Sequence, residues 1–573
     1  MINYKETITD VLEGVIPDLS REEIFSMIEI PADESMGDYA LPCFRLAKTL
    51  RKAPPIIAEE LAQKLKVHPL FERVENLGAY LNLFLKKADF TREVVTNIVA
   101  HPDAYGRWDI GKGKRVLVEF SSPNIAKPFH IGHIRSTVIG NSIYKIYDFL
   151  GYETVRINHL GDYGTQFGKM IVAYRRWGNK EDVTRAPIET LLSYYVKFHE
   201  EAEKDESLDN DAREAFRKLE QGSPEEKALW QWFRDESLKE FNRVYEMLGI
   251  EFDSLAGESS YSDKMGRVVQ ELEDKGLLKD SEGAKIVDLE GEGLPSALIT
   301  KSDGSTLYIT RDIAAGIYRK ETYDFYKNLY IVGNQQLLHF QQWMKIIELM
   351  GYSWAGDCVH IPFGLVSLDD GDTLSTRRGK VVFLEDVLKK AVEKTREIIL
   401  EKDVNTDNID ETAAQVGIGA IVFNELSNSR NKDYVFSWDK VLAFEGETGP
   451  YVQYTHARAS SLIRKAGEEA LRDAQKSNGW NQDHLSGDGA YRLAKLLYAF
   501  PEAILEAGNR YEPSIVARHI VDVSQAFNRF YHDEHILVPD PNERAAKIAL
   551  VVATKAVLKN GLGLLGVHAP EKM

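Results

Sequence analysis

Cysteine is almost missing from this sequence, and that scarcity already excludes several kinds of protein. Only Cys43 and Cys358 occur in 573 residues, far apart in the chain. Such spacing argues against a disulfide framework or a thiolate zinc site and suits a reducing, cytoplasmic compartment. Long apolar runs are missing too. No stretch approaches the ~18 residues that a membrane-spanning helix requires, so no membrane association is expected. The opening "MINYKETITDVLEGVIPDLS" carries acidic residues and no apolar segment, which excludes a secretory signal. Repeats and low-complexity tracts are absent. Positive charge is in deficit, with 71 Lys and Arg against 89 Asp and Glu, a formal net charge of −18. That balance argues mildly against a chain that coats nucleic acid, although a local basic surface can still bind phosphates. What is present, 43% apolar and 28% charged residues, is ordinary for a globular chain, and the length predicts three or four domains.

The hydrophobic patterning sets the order of elements. Residues 1 to about 85 read as α+β: "EEIFSMIEI" and "PIIAEELAQKL" have helical spacing, and "RVENLGAYLNLFL" alternates around a turn at Gly78. "AHPDAYGRWDIGKGK" reads as a boundary. "RVLVEF" is then a continuous apolar run, as a buried parallel strand would be. A helix follows with Ile134, Val138, Ile139, Ile143, Ile146, Tyr147 and Leu150 on one broad face and Gly151 at its end. "TVRIN" is the second strand of this βαβ unit. Charged helices fill an insertion at about 180–245, "NLYIVG" and "VHIPFGLV" are later strands, and from about 385 onward only helices are expected.

The segment "SSPNIAKPFHIGHIRS" carries the chemistry. A metal reading of His130 and His133 lacks a neighbouring carboxylate or cysteine, the HExxH pattern is absent, and no structural metal is expected. Two histidines capping a helix is one reading. An anion site is favoured, because exposed N–H groups and the helix dipole attract phosphate. Gly132 lets a nucleotide approach the backbone, and imidazole donors can hold the oxygens of a phosphoryl transition state.

"HIGH" after a first buried strand resembles the signature of class I aminoacyl-tRNA synthetases. "VEFSSPNIAKPFHIGHIRSTVIG", "NHLGDYGTQFG", "LYITRDIAA", "STRRGKVVFLEDVL", "ETGPYVQYTHAR" and "LKNGLGLLGVHAPEKM", in that order, resemble the arginyl family of that class, from the N-terminal domain to the last residue. The resemblance implies an α/β Rossmann-like catalytic domain with a parallel sheet, flanked by an N-terminal α+β domain and an all-α C-terminal anticodon-binding bundle. Expected bounds are 1–110 for the N-terminal tRNA-binding domain and linker, 111–370 for the catalytic domain, 371–437 for the signature-loop and stem-contact region, and 438–573 for the bundle. It also implies ATP-dependent formation of arginyl-adenylate, with Mg2+ accompanying the ATP, then transfer of arginine to tRNA by a chain that is most often a monomer.

The resemblance assigns roles residue by residue. Tyr308 and Asp312, four apart, are expected to face the guanidinium of arginine if Tyr308 opens a helix; Asp312 as a mate of Arg311 or Arg319 is the alternative. Glu119, at a strand end, is the second acidic candidate. Ser122, Asn124, His133 and Gln336 are expected at the α-amino and carboxylate groups, although Asn124 after Pro123 is also an ordinary turn residue. The family's signature loop usually carries two lysines; here "TLSTRRG" has Thr373 and Thr376 in their places. Its Ser375, together with Arg377 and Lys380, joins His130, Gly132 and His133 as catalytic candidates. Lys127 is the lysine expected to substitute for the missing pair. Asn82, Tyr454 and the terminal Met573 are the tRNA candidates, against the reading that helical aromatics are core.

Overall fold

The computed structural model describes residues 3–302, 307–368, 382–401, 406–476 and 478–573. Internal contacts divide the chain into two units. The first comprises Met1–Tyr105, Ala459–Ala499 and Gln525–Val557, and the second Gly106–Arg458, Phe500–Ser524 and Leu558–Met573.

In the first unit the helices start where the local chemistry puts them. The Tyr4–Glu13 helix is capped by Asn3, whose side chain accepts from the Glu6 amide. Arg21–Met27 opens on a capping box in which Ser20 and Glu23 satisfy each other's amides. Pro54 begins the helix Pro54–Leu65. Strands β1 (Tyr39–Pro42), β2 (Phe71–Leu77) and β3 (Tyr80–Leu85) form an antiparallel sheet in the order β1-β3-β2. Leu81, Leu83 and Leu85 alternate into the core, and Gly78 makes the turn at φ +57.

The second unit is organised by a parallel sheet. Val116, Leu117 and Val118 of β4 (Arg115–Glu119) are wholly buried, as both faces of a covered strand require. The helix Ile134–Phe149 crosses to β5 (Glu153–Ile157), and Gly151 takes φ +86 just past its end. Four helices then fill Lys180–Leu248. A meander the sequence reading missed follows: β6 (Leu278–Ser281), β7 (Ala284–Val287) and β8 (Ala297–Thr300). Its turn, Glu282 and Gly283, takes φ +51 and +83, the left-handed pair that a tight hairpin needs. The helix Tyr308–Tyr323 leads to β9 (Lys327–Gly333), and the helix Leu337–Leu349 to β10 (Cys358–Phe363).

The order β10-β9-β4-β5, all parallel, places β4 between its two crossovers. The chain leaves β4 toward β5 and returns on its other side at β9. The crevice at the C-terminal ends of β4 and β9 is therefore a topological switch point, where open α/β sheets bind ligands. One expectation needs correction: a strand does occur after 385. β11 (Val366–Leu368) pairs in parallel with β12 (Tyr434–Phe436). Three residues are too few to show a period, and β12 exists only because its partner lies some seventy positions upstream.

Candidate active site

Beyond Glu119 the chain is held in strained backbone. Ser121, Ser122 and Ala126 take φ of +69, +49 and +59, a region that costs L-residues about 1 kcal/mol or more each. Hydrogen bonds from four elements impose it. The Ser121 amide donates to Ser136 Oγ at 2.9 Å, and Ser136 Oγ donates to the Ile331 carbonyl at 2.8 Å. The Ser122 amide donates to Asn158 Oδ1 at 3.1 Å, and the Ala126 amide to Ser237 Oγ at 3.0 Å. Gly161 N–H reaches the Pro123 carbonyl, and Ile125 N–H the Gly161 carbonyl, each at 3.1 Å. Ser122 Oγ is buried with no hydrogen-bond partner, which fits a hydroxyl reserved for a polar group of a ligand.

The two histidines that follow are neutral donors. The His130 amide donates to His133 Nδ1 at 3.2 Å and the Gly132 amide to His130 Nδ1 at 3.1 Å. An accepting Nδ1 leaves the His130 ring proton on Nε2, whereas His133 Nδ1 also lies 3.2 Å from the His130 carbonyl and accepts from the amide or donates to that carbonyl according to its tautomer. Burial pushes His130 below its ordinary value, and burial with His130 alongside pushes His133 down to about 3. The rings lie 4.0 Å apart at the head of the Ile134–Phe149 helix. His130 offers its Nε2–H to an oxyanion without adding charge, and His133 does the same in the tautomer whose Nδ1 accepts from the His130 amide. Backbone bonds tie this segment to residues just after the signature loop: Ile131 N–H to the Val382 carbonyl at 3.1 Å, and Leu384 N–H to the Phe129 carbonyl at 2.9 Å. Ser375, Arg377 and Lys380 of that loop lie outside the described residues.

On the β9 side, Tyr308 is the first residue of its helix and Asp312 lies one turn on. Neither Arg311 nor Arg319 takes Asp312. Arg311 pairs with Glu258 at 3.1 Å, between the rings of Tyr163 and Tyr308. Arg319 pairs with Glu119 at 2.5 Å, fully buried. Burial opposes the Arg319 charge, but Glu119, Tyr261 and Tyr330 outweigh it and hold the guanidinium well above its ordinary value. Glu119 thus already has a cation from its own chain. Asp312 is instead bonded to His339 Nε2 at 2.5 Å, and both side chains remain partly exposed. Burial pushes the Glu258 carboxyl up to about 7, with Arg311 opposing and Asp312 and Asp162 adding to it; Lys127 is also near enough to pull it down. Through Glu258, the β4 loop and the Tyr308–Tyr323 helix face one another. Lys127 and Asn124 are exposed, and Gln336 ends the 3-10 turn that opens the Leu337–Leu349 helix. A cavity of about 1110 Å³ is lined by Tyr163, Arg213, Lys227, Trp230, Tyr308 and Arg311, among others. Among the described residues no three His, Cys, Asp or Glu side chains cluster as a metal site, and no helix is long and apolar enough to cross a membrane.

Sequence reasoning passed over Glu258, His339 and Arg135, and named Arg319 only as an alternative mate for Asp312. Arg135, two residues after "HIGH", is fully buried; its Nε donates to Glu425 at 2.6 Å and its Nη1 to the Lys432 carbonyl at 2.8 Å. Burial raises Glu425 despite Arg135, and Tyr434 donates to its second oxygen at 2.6 Å. A charged residue on an apolar helix face is the one signal that pointed to it.

The tRNA candidates are more dispersed. Asn82 is 3% exposed, its Oδ1 has no hydrogen-bond partner, and it borders a cavity of about 330 Å³ with Lys66 and Asn76. Tyr454 is 40% exposed, with Arg458 over its ring. Its neighbours Gln453 and His456 bond the carbonyls of His568 and Pro570, and Met573, three residues beyond Pro570, is half-buried.

A switch-point crevice of parallel strands, headed by a neutral histidine pair at a helix N-terminus, is the nucleotide-activating architecture of class I synthetases. Comparison with known proteins narrows the class. The family described as tRNA synthetases class I (R), catalytic domain, matches residues 94–438. The arginyl tRNA synthetase N terminal domain matches residues 3–85, and the DALR anticodon binding domain residues 452–573. An arginine–tRNA ligase of Clostridioides difficile is 57% identical over 573 residues, the whole of both chains, and one from Halothermothrix orenii is equally so. The solved arginyl-tRNA synthetase of Thermus thermophilus superposes with a TM-score of 0.79 at 26% identity, covering 95% of this chain and 96% of that one. The chain belongs to the arginyl-tRNA synthetase family of class I.

Proposed function

We propose that this enzyme charges tRNA with arginine for protein synthesis through an arginyl-adenylate formed in the β4–β9 crevice. ATP enters as its magnesium complex, with its phosphates at the head of the Ile134–Phe149 helix. Arginine's carboxylate attacks the α-phosphate, diphosphate leaves, and the arginyl group passes to the 3′-terminal adenosine of tRNA with release of AMP. The His130 and His133 Nε2–H groups and the Gly132 backbone stabilise the phosphoryl oxygens; Lys127 carries the cation that Thr373 and Thr376 do not, aided by Ser375, Arg377 and Lys380. Asp312 and Tyr308 receive the guanidinium, and Glu119, the second acidic candidate, is held by Arg319. Ser122, Asn124, His133 and Gln336 hold the α-amino and carboxylate groups. Asn82 in the N-terminal domain (1–110) and Tyr454 and Met573 in the bundle (438–573) contact tRNA, around a catalytic domain at 111–370 and a stem-contact region at 371–437. The enzyme works as a cytoplasmic monomer.

The observation that carries this reading is the partnering of acids. Among the charged groups around the crevice, Arg311 and Arg319 are matched by Glu258 and Glu119, while Asp312 is left with a histidine and an open edge. A partly buried carboxylate so placed is complementary to a planar cation. The test is ATP–pyrophosphate exchange with tRNA present. Arginine should drive it, and Asp312→Ala should raise KM for arginine far more than KM for ATP. Exchange driven by another amino acid, or equal effects on the two constants, refutes the assignment.

A further inference from the structure

We infer that His339 is the positioning residue for the carboxylate that selects arginine. The inference rests on the proposed role of Asp312 and goes beyond it to what holds that side chain. Asp312 sits on an open helix face, where an aspartate with no fixed partner samples several rotamers. A bidentate guanidinium needs the carboxylate plane set in advance, and a side chain left to find its own orientation loses part of that recognition.

His339 supplies the constraint from a different helix. Its Nε2 lies 2.5 Å from Asp312 Oδ2. It stands in the first turn of the Leu337–Leu349 helix, three residues after Gln336, so one helix start serves both ends of the arginine substrate. The imidazole is itself braced: it meets the Phe340 ring edge-on at 5.8 Å. Phe340 in turn stacks on His360 at 4.2 Å and packs against Tyr330 and Trp343 in the buried core. The orientation of Asp312 is therefore referred back to the sheet rather than to its own helix. A carboxylate offers about four acceptor positions, and His339 uses one. The remainder stay available to the guanidinium on the partly exposed side. No other described basic group competes for Asp312, since Arg311 and Arg319 are committed to Glu258 and Glu119.

The experiment is steady-state ATP–pyrophosphate exchange, with tRNA, on full-length His339→Ala, His339→Gln and Asp312→Asn. The positioning role predicts that His339→Ala raises KM for arginine about tenfold or more, the loss that accompanies one charge-assisted hydrogen bond, with KM for ATP within twofold. His339→Gln, whose amide reaches a similar position with an N–H, recovers most of the loss. If His339 instead blocks the substrate's place, His339→Ala lowers KM for arginine, and that result overturns the inference. An unchanged KM, or a glutamine variant no better than alanine, overturns it too. Asp312→Asn separates the two levels. If it raises KM for arginine while His339→Ala does not, only the positioning role fails; if it leaves KM unchanged, the reading of Asp312 fails. His339 is partly exposed, so the thermal midpoints of its variants should match the parent within a few degrees.

Discussion

Gly140 lets the histidine-headed helix pack closely on Phe120, the residue after β4, and adding one methyl there tests the site geometry directly. A Cβ at Gly140 would stand 2.1 Å from Phe120 Cβ and 2.3 Å from Phe120 Cγ. Carbon atoms rest at about 3.5–4.0 Å, so roughly 1.4 Å of separation must be found. Phe120 cannot yield it. It is fully buried, packs on Phe252 at 4.7 Å, and its amide is bonded to the Ile157 carbonyl at 3.0 Å. The helix must retreat instead, and its N-terminal turn carries the bonds that shape the site. Ser136 Oγ bridges Ser121 and Ile331, and Thr137 Oγ1 donates to Ser121 Oγ at 2.9 Å. Overpacking of this kind costs about 1–3 kcal/mol, and a displacement of about 1 Å in a catalytic array costs about 10²-fold in rate. Gly140→Ala should therefore lose about 10²-fold in arginine-dependent pyrophosphate exchange while remaining folded. Gly563→Ala is the control, because a methyl there meets nothing within 4 Å. Exchange by Gly140→Ala within threefold of the parent, with an unchanged thermal midpoint, would refute the argument that the close helix–strand approach sets the site.

Three other outcomes are expected. Gly161→Ala places a methyl 1.9 Å from Asn124 Oδ1, the end of an exposed side chain, so it should raise KM for arginine about tenfold with little loss of stability; an unchanged KM removes Asn124 from the substrate site. Lys127→Ala should cut adenylate formation by about 10²-fold or more, and activity surviving within a few-fold would pass the role to Arg377 or Lys380. Glu258, raised by burial from its ordinary 4.5 to about 7, keeps its proton in the folded state after the unfolded chain has lost it. Its contribution to stability is therefore full below about pH 4.5 and is lost as pH rises through 7, on the order of 3 kcal/mol. Thermal midpoints of the parent and Glu258→Gln should thus diverge in the variant's favour between pH 5 and pH 8, and parallel curves would show that the carboxyl is not shifted.

Much of the molecule was legible because the informative patterns are local. "RVLVEF" announces a covered strand by its unbroken apolar run, and Gly151 announces a helix end by needing a left-handed conformation. Tyr308 and Asp312 on one helix face follow from their spacing alone. The meander at β6–β8 was missed although Glu282-Gly283 is a legible hairpin turn, because its strands are short and charged. β12 carried no signal of its own.

By itself the sequence determined the class of fold, the βαβ unit around the histidines, the family, and the residue types able to hold a phosphate and a guanidinium. Those depend on short-range periodicity and on motifs that stand whole within a few dozen residues. Only the tertiary structure decided which acid meets which base. Glu119 with Arg319, Glu258 with Arg311, Asp312 with His339 and Arg135 with Glu425 are separated by 27 to 290 positions. Charge pairing inside a protein is settled by which groups share a desolvated space, and that space exists only once the sheet has brought the strand ends together.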